Sequence, residues 1–380
     1  MEYPIRILQM IGSLNIGGSQ TMIINIYKAL DRKKIQFDFI IDHEDHLYYK
    51  DVLESMGAKI YIMPSYKGYN FVEIVKAWKS FFENHPEYRI LHTHVRSYAS
   101  IFLPIARSYG VKTIIHSHST SNGSGLKAFY KSILQYPIRY QADFYLGCSK
   151  ESGRWLFGEK IVNSNKYLTI KNGIDVQQYS YNEVLRKKIR EELNINEIQV
   201  VYGHIGRFHE SKNYDFLLKV FFEISHKNPN ALLLLVGDGA LRPKIESKIA
   251  RLNLSDKVML MGLRNDIPDV LQAFDCFLFP SRWEGLPVTL VEVQAAGISS
   301  IVSDKITKEV ELSDSIFYLS IENGVTEWVD KALSINKTRR NNELRIEKSG
   351  FDINESADKL SKIYYDMYTK GDRNENIVLY

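Results

Sequence analysis

No stretch of this 380-residue chain is apolar for long enough to cross a membrane. The longest apolar runs, such as Ala231 to Val236, fall far short of the roughly 20 residues a spanning helix needs. Met1 to Ile11 has no extended apolar segment followed by a cleavage site, so no secretion signal is expected. These absences predict a cytoplasmic protein, soluble or resting at most on the inner face of the cell membrane. Cysteine is scarce: Cys148 and Cys276 are the only two. Each ends an apolar, strand-like run and is expected to be a reduced, buried thiol, which suits the cytosol. Charge of one sign is not in large excess. A net +4 suits anionic small substrates or an acidic membrane surface, and gives no case for nucleic acid. There is no internal repeat and no low-complexity linker. There is no Asp-x-Asp to hold a divalent metal. The Gly-x-Gly-x-x-Gly fingerprint is also missing, which argues against a nicotinamide oxidoreductase.

What is present is an ordinary globular composition, 44% hydrophobic, over a length that implies two domains. Ile5 to Ile11 reads as a strand, Gly12 to Gly18 as a Gly-rich loop, and Gln20 to Leu30 as a helix. Further strands are expected at Phe37–Ile41, Ala58–Ile62, Arg89–His92, Val111–Ile115 and Asp143–Leu146. Helical patterns fall between most of them, including Phe71–Phe82, Ser97–Tyr109 and Leu126–Tyr140. A second alternating series follows, with strands at Gln199–Ile205, Ala231–Val236, Val258–Met261, Cys276–Phe279, Ser300–Ser303 and Ile316–Leu319. Alternation of this kind implies parallel sheets covered on both faces. The expected organisation is α/β, with two doubly wound domains facing a cleft. Residues 1–175 form the first, 176–354 the second, and 355–380 a tail. Over Glu355–Lys370 the tail carries Leu360, Ile363, Tyr364 and Met367 at helical spacing, a stripe expected to pack back across the first domain. In such sheets ligands bind beyond the carboxyl ends of the strands.

The candidate residues lie in loops directly after strands. Glu284 and Glu292 stand eight positions apart. Glu284 falls in the loop after Cys276–Phe279. Glu292 falls inside an apolar, hence buried, helix between Pro287 and Gly297. A buried carboxylate must be satisfied. From spacing alone, backbone amides or a Lys serve as well as a ligand with hydroxyls. In Gly206-Arg207-Phe208-His209-Glu210-Ser211-Lys212-Asn213 two cations flank a loop that opens a helix, an arrangement suited to a diphosphate. Gly17-Gly18 opens a helix whose amides favour an anion, weakly on its own. Val236-Gly237-Asp238-Gly239 is a strand end with a tight turn. His116-Ser117-His118 ends a strand. Without a third and fourth ligand at recognisable spacing it is not read as a metal site; one His is expected to bond a substrate hydroxyl or phosphate. His92-Thr93-His94 is similar and reads more as a structural pair. Lys127–Tyr140 mixes basic and aromatic residues and fits either an anionic membrane surface or a core helix with a solvated basic face. Lys337, Arg339, Arg340, Arg345 and Lys348 read as a solvated helix face.

The ordered set Gly17-Gly18, His118, Asn172-Gly173-Ile174-Asp175, Gly206-Arg207 with Lys212, Val236-Gly237-Asp238-Gly239 and Glu284 with Glu292 resembles the retaining, GT-B fold glycosyltransferases of family 4. Within that family it is most similar to the bacterial group that builds capsular or extracellular polysaccharide. The resemblance runs from about Ile5 to Tyr368. It implies that Arg207 and Lys212 hold the donor diphosphate and that Glu292 accepts from the ribose hydroxyls. Glu284, with the backbone of Gly285, Leu286 and Pro287, would hold the donor sugar. His118, rather than His116, would sit at the reacting centre. Gly18 would lie against the donor phosphate or shape the acceptor pocket. The implied activity moves a sugar from a nucleotide-sugar, a UDP-sugar, to a lipid-linked glycan, without metal or other cofactor. The rivals are a sugar-nucleotide epimerase on the same fold and a non-catalytic sugar-binding member of a polysaccharide assembly complex.

Overall fold

The computed structural model describes residues 3–15, 17–44, 47–123 and 125–369. It divides into two compact units, Met1–Gly173 with Ile353–Tyr380, and Ile174–Asp352. The change of unit falls slightly before the expected 175/176 and 354/355 limits, for a local reason. Ile174 and Asp352 form a parallel bridge, and Ile174 N–H donates to Phe351 O at 2.8 Å. The outgoing and returning segments are therefore tied side by side.

The first unit holds β1 (Ile5–Gly12), β2 (Ile35–Ile41), β3 (Ile60–Ile62), β4 (Ile90–Thr93), β5 (Lys112–Ser117), β6 (Phe144–Gly147) and β7 (Tyr167–Thr169). They make one parallel sheet in the order β3-β2-β1-β4-β5-β6-β7. The second unit holds β8 (Val200–Ile205), β9 (Ala231–Val236), β10 (Val258–Gly262), β11 (Cys276–Phe279), β12 (Ser299–Ser303) and β13 (Ile316–Leu319). Their parallel order is β10-β9-β8-β11-β12-β13. Because helices cover both faces, strands such as β9 are buried at every position and are apolar throughout rather than alternating. The strand order of each sheet reverses at its centre, between β1 and β4 and between β8 and β11. That reversal opens the place where doubly wound sheets take ligands.

Successive side chains of β1 feed different cores. Ile7 and Ile11 pack on one face, Leu8 and Met10 on the other. The helix Ile353–Thr369 joins the first of these cores through Ile353, Ala357, Leu360, Ile363, Tyr364 and Met367. Burying Leu360, Ile363 and Met367 contributes about 1.5–3 kcal/mol each, so the returning tail is part of the first unit. Lys370, its expected end, lies outside the described residues.

Two expectations need correction. Leu126–Tyr140 is not one α-helix: an α-helix spans Leu126–Gln135 and a tighter 3₁₀ turn spans Tyr136–Tyr140. Pro137, lacking an N–H, marks the change. Of the basic stretch Lys337, Arg339, Arg340, Arg345 and Lys348, all but Arg339 are exposed as expected, with Arg345 and Lys348 in helical turns; Arg339 is the exception. Residues 335–342 are irregular, and Arg339 reaches inward to the carbonyls of Ala296, Leu271, Gln272 and Phe274 at 2.6–3.0 Å. Burial lowers its pKa to about 10. Periodicity missed this because the guanidinium serves carbonyls at helix ends, two of which, Gln272 and Phe274, also accept from Arg186. Cys148 and Cys276 are buried and unbridged.

Candidate functional site

In the second unit the site begins at the sheet reversal. The registers Cys276↔Tyr202 and Phe277↔Gly203 set β11 beside β8. His204 locks the pair, with Nδ1 at 2.8 Å from Leu278 O. The loops leaving these strands are therefore neighbours although their residues are far apart in sequence. After β8 the chain runs through Gly206 and Arg207 into a 3₁₀ turn, Glu210–Lys212. Asn213 then adopts a left-handed conformation (φ 56°) before the helix Tyr214–Lys227. After β11 it runs through Arg282 and Glu284 to Pro287, which precedes the helix Val288–Ala295. Arg282 N–H donates to Ser211 O at 2.7 Å and ties the two loops together.

Lys212 Nζ lies 2.8 Å from Glu284 Oε1, both side chains about 15% exposed. It also lies 4.8 Å from the centre of the Phe279 ring. The ion pair is close but badly directed, and Glu284 Oε1 lacks a hydrogen bond. The lysine compensates the charge, while the remaining lone pairs of the carboxylate stay open to a hydroxyl donor. Gly206 makes room for the lysine stem, since a Cβ there would sit 2.8 Å from Lys212 Cε. Arg207 is exposed and forms no ion pair among the described residues.

The turn Gly237-Asp238-Gly239 braces this loop. Phe208 N–H donates to Asp238 O at 2.9 Å. Gly237 has φ +135°, and a Cβ there would fall 2.1 Å from Gly206 O, so no side chain is tolerated. Gly285 differs: its Cβ position meets nothing within 4 Å.

Glu292 lies on the helix after Pro287, partly buried. Its carboxylate accepts from Tyr179 Oη at 3.0 Å. Burial raises its pKa to about 7, and the Tyr179 hydrogen bond opposes that rise. Tyr179 was not legible in the sequence. It is delivered by the short helix Val176–Tyr179, and Asp175 caps that helix by accepting from Gln178 N–H at 3.3 Å. The Asn172–Asp175 motif thus has a definite local task.

In the first unit the helix Gly18–Ala29 starts after Gly17 with no side-chain cap and no acidic residue in its first turn. Its leading amides are free of side-chain competition. A Cβ on Gly18 would meet nothing within 4 Å.

The two His pairs come together. The register Thr93↔Ile115 places the segment after β4 beside the end of β5. His92, His94, His116 and His118 stack on one face, ring centres 4.1–5.6 Å apart between neighbours. The third and fourth histidines that spacing along the chain could not reveal are supplied by the adjacent strand. Ring nitrogens of His92, His94 and His116 lie within 4.8 Å of one another, close enough for a metal. Both nitrogens of His94 are, however, already hydrogen-bonded, to His118 Nε2 at 2.7 Å and to Gln9 Oε1 at 3.1 Å. A metal would have to break one of these bonds. Burial lowers the pKa of all four rings, that of His118 to about 3, with nearby Arg96 adding to the effect. His94, read as a structural neighbour, is wired directly to His118.

Comparison with known proteins agrees with this architecture. Residues 16–178 match the family model described as Glycosyltransferase Family 4, and residues 186–343 match Glycosyl transferases group 1. Two parallel Rossmann-like units with these matches define a glycosyltransferase of GT-B fold. Among relatives, EpsF of Bacillus subtilis (strain 168), a protein named as a glycosyltransferase, is 29% identical over 97% of this chain and 98% of its own. The UDP-Gal:alpha-D-GlcNAc-diphosphoundecaprenol alpha-1,3-galactosyltransferase of Escherichia coli is 24% identical over 93% of this chain and 94% of its own. The structure of Anabaena Alr3699/HepE in complex with UDP and glucose superposes with a TM-score of 0.75. It covers 94% of this chain and 99% of that chain at 18% identity, a likeness of fold. Among the described residues no helix is long and apolar enough to cross a membrane.

Proposed function

We propose that this glycosyltransferase is a retaining enzyme of family 4. In this reading it transfers a sugar from a UDP-sugar to a lipid-linked glycan during capsular or extracellular polysaccharide synthesis. The observation that carries the reading is the meeting of Lys212 and Glu284 over the reversal point of the second sheet, with the unpaired Arg207 on the same loop. Arg207 and Lys212 would hold the diphosphate. Glu292 would accept from the ribose hydroxyls, and Glu284 with the backbone of Gly285 to Pro287 would hold the sugar. His118 would act at the reacting centre. Gly18 would face the donor phosphate or shape the acceptor pocket. The choice of uracil nucleotide rests on the names of the Escherichia coli relative and of the Anabaena complex.

Cleavage of the sugar–phosphate bond leaves positive charge on the sugar and negative charge on the leaving diphosphate. Two cations fixed at a strand end neutralise the latter without solvent reorganisation, so no metal is required. Retention follows from same-face displacement, in which the departing phosphate oxygen takes the proton of the acceptor hydroxyl. Glu284, engaged by Lys212, serves as a grip on the sugar and not as a nucleophile.

The acceptor side is assigned to the segment Leu126–Tyr140. Leu126, Phe129, Ile133, Tyr136 and Tyr140 are exposed, Leu126 by 88%, and Lys131 and Arg139 belong to the same segment. An apolar stripe with tyrosines and cations suits the boundary of an anionic bilayer, at the inner face of the cell membrane. The test is a panel of nucleotide-sugars with undecaprenyl-diphosphate-linked acceptors, following nucleotide release in EDTA. Acceptor-dependent release that Glu284→Gln slows but does not abolish is expected. Activity abolished by EDTA and restored by a divalent ion would overturn the metal-free mechanism. A trapped sugar–enzyme adduct would overturn same-face displacement, and sugar-nucleotide turnover without acceptor would indicate the epimerase. Loss of activity in His118→Gln is expected if that residue touches the donor.

A further inference from the structure

The histidine cluster is part of a longer chain of hydrogen bonds that reaches the C-terminal helix. Gln9, in the central strand β1, donates from Nε2 to Tyr364 Oη at 3.1 Å. Tyr364 Oη lies 2.7 Å from His92 Nδ1. The other end of the amide, Oε1, lies 3.1 Å from His94 Nε2, and His94 Nδ1 lies 2.7 Å from His118 Nε2. Gln9, His92 and Tyr364 are fully buried, so bulk water does not compete for these bonds. A buried Gln in a sheet and a buried Tyr from a helix at the far end of the chain have no packing reason to be polar. Their presence calls for an account.

The protons of this chain can be placed one at a time. An amide oxygen carries no hydrogen, so the proton between Gln9 and His94 sits on His94 Nε2. Burial keeps the rings neutral, and a neutral imidazole has one N–H. His94 Nδ1 is therefore an acceptor. The proton between the two rings must then belong to His118 Nε2. His118 Nδ1 is left as a bare lone pair, without a hydrogen-bond partner among the described residues. At the other end, the amide N–H donates to Tyr364, whose hydroxyl proton goes to His92 Nδ1. His92, accepting at Nδ1, carries its own proton on Nε2, which is buried without a hydrogen-bond partner among the described residues. Along the branch from Gln9 to His118 the orientation of the Gln9 amide sets the direction.

We propose that Gln9, His94 and Tyr364 are positioning residues that hold His118 as its Nε2–H tautomer, so that Nδ1 meets the donor sugar as a hydrogen-bond acceptor. The contact with sugar rests on the functional reading above; the tautomer does not. With this polarity His118 accepts from a sugar hydroxyl. Reversal of the Gln9 amide would turn Nδ1 into a donor, which a sugar hydroxyl accepts less usefully while it also has to satisfy its own proton. In this orientation Tyr364 gives its proton to His92 Nδ1 and accepts from the Gln9 amide.

The test uses the full chain carrying ring-¹⁵N histidine, read by long-range ¹H–¹⁵N correlation at neutral pH, with His118 assigned through His118→Gln. The expected result is a single Nε2–H tautomer at His118 in the wild type. An Nδ1–H tautomer there, or a mixture, would overturn the proposal without any variant having to fold. Tyr364→Phe is expected to give a tautomer mixture and a kcat lowered by about three- to tenfold, the worth of one buried hydrogen bond, with a smaller change in donor KM. A Tyr364→Phe or Gln9→Leu protein that keeps both the tautomer and the wild-type kcat would also overturn it. If His118→Gln is fully active while the wild-type tautomer is as expected, the donor contact fails and the relay stands.

Discussion

Replacing Glu292 with Gln separates stability from binding at one residue. The carboxyl is pushed from its ordinary 4.5 to about 7 by burial. Below 4.5 it is protonated in both folded and unfolded chains, and folding incurs no penalty. Between 4.5 and about 7 the unfolded chain ionises while the folded one keeps its proton, so stability falls as pH rises. Above 7 the penalty is complete. Its ceiling is about 3 kcal/mol, reduced in practice because the side chain is only partly buried and water screens it. Gln keeps an acceptor for Tyr179 Oη and never ionises. Glu292→Gln should therefore match the wild-type melting temperature well below pH 4.5 and exceed it above pH 7. For a unit of this size the ceiling corresponds to about 6–12 °C. The same change should weaken UDP. A carboxylate receiving ribose hydroxyls makes charge-assisted bonds, and a neutral amide forfeits about 1 kcal/mol or more of them. Wild-type affinity for UDP should also rise with pH up to about 7, as ionised Glu292 becomes available, and this dependence should vanish in the variant. Thermal unfolding and calorimetric titration across pH measure both effects. A variant destabilised equally at all pH values, or one that binds UDP as the wild type does, would refute the reasoning.

The remaining predictions concern other parts of the fold. Lys212→Met and Arg207→Met should each slow transfer by about 10²–10³ at saturating donor, read by nucleotide release; a loss below tenfold would show that the diphosphate is neutralised by something else. Gly237→Ala, whose methyl would fall 2.1 Å from Gly206 O, should displace the Arg207 loop and lower both the unfolding temperature and UDP affinity. Unchanged values for both would contradict the close packing. Arg339→Leu would remove a donor from the carbonyls of Ala296, Leu271, Gln272 and Phe274, of which the last three keep another, and should cost about 1–3 kcal/mol in denaturant unfolding. Phe129→Ser with Ile133→Ser should abolish co-flotation with phosphatidylglycerol vesicles while leaving hydrolysis of soluble donor intact; unimpaired flotation would remove the membrane from the reading.

The sequence by itself determined the elements and their class. Long apolar runs such as Ala231–Val236, alternating with helical periodicity, permit little other than covered parallel sheets, because each strand must bury both faces. It also determined that Arg207, Lys212, Glu284 and Glu292 lie beyond strand ends, since punctuation by Gly and Pro is local. Adjacency is not local, and only the tertiary structure decided it. That β11 lies beside β8 brings Lys212 onto Glu284, and that β5 lies beside β4 turns two separate His pairs into one stacked cluster. Tyr179 and Tyr364 carry no motif at all. Each acts through one hydroxyl, placed by a helix whose position depends on packing far from its own sequence neighbours. Arg339 shows the opposite failure: its charge pattern suggested solvent, yet four carbonyls gathered by the tertiary fold drew it inward.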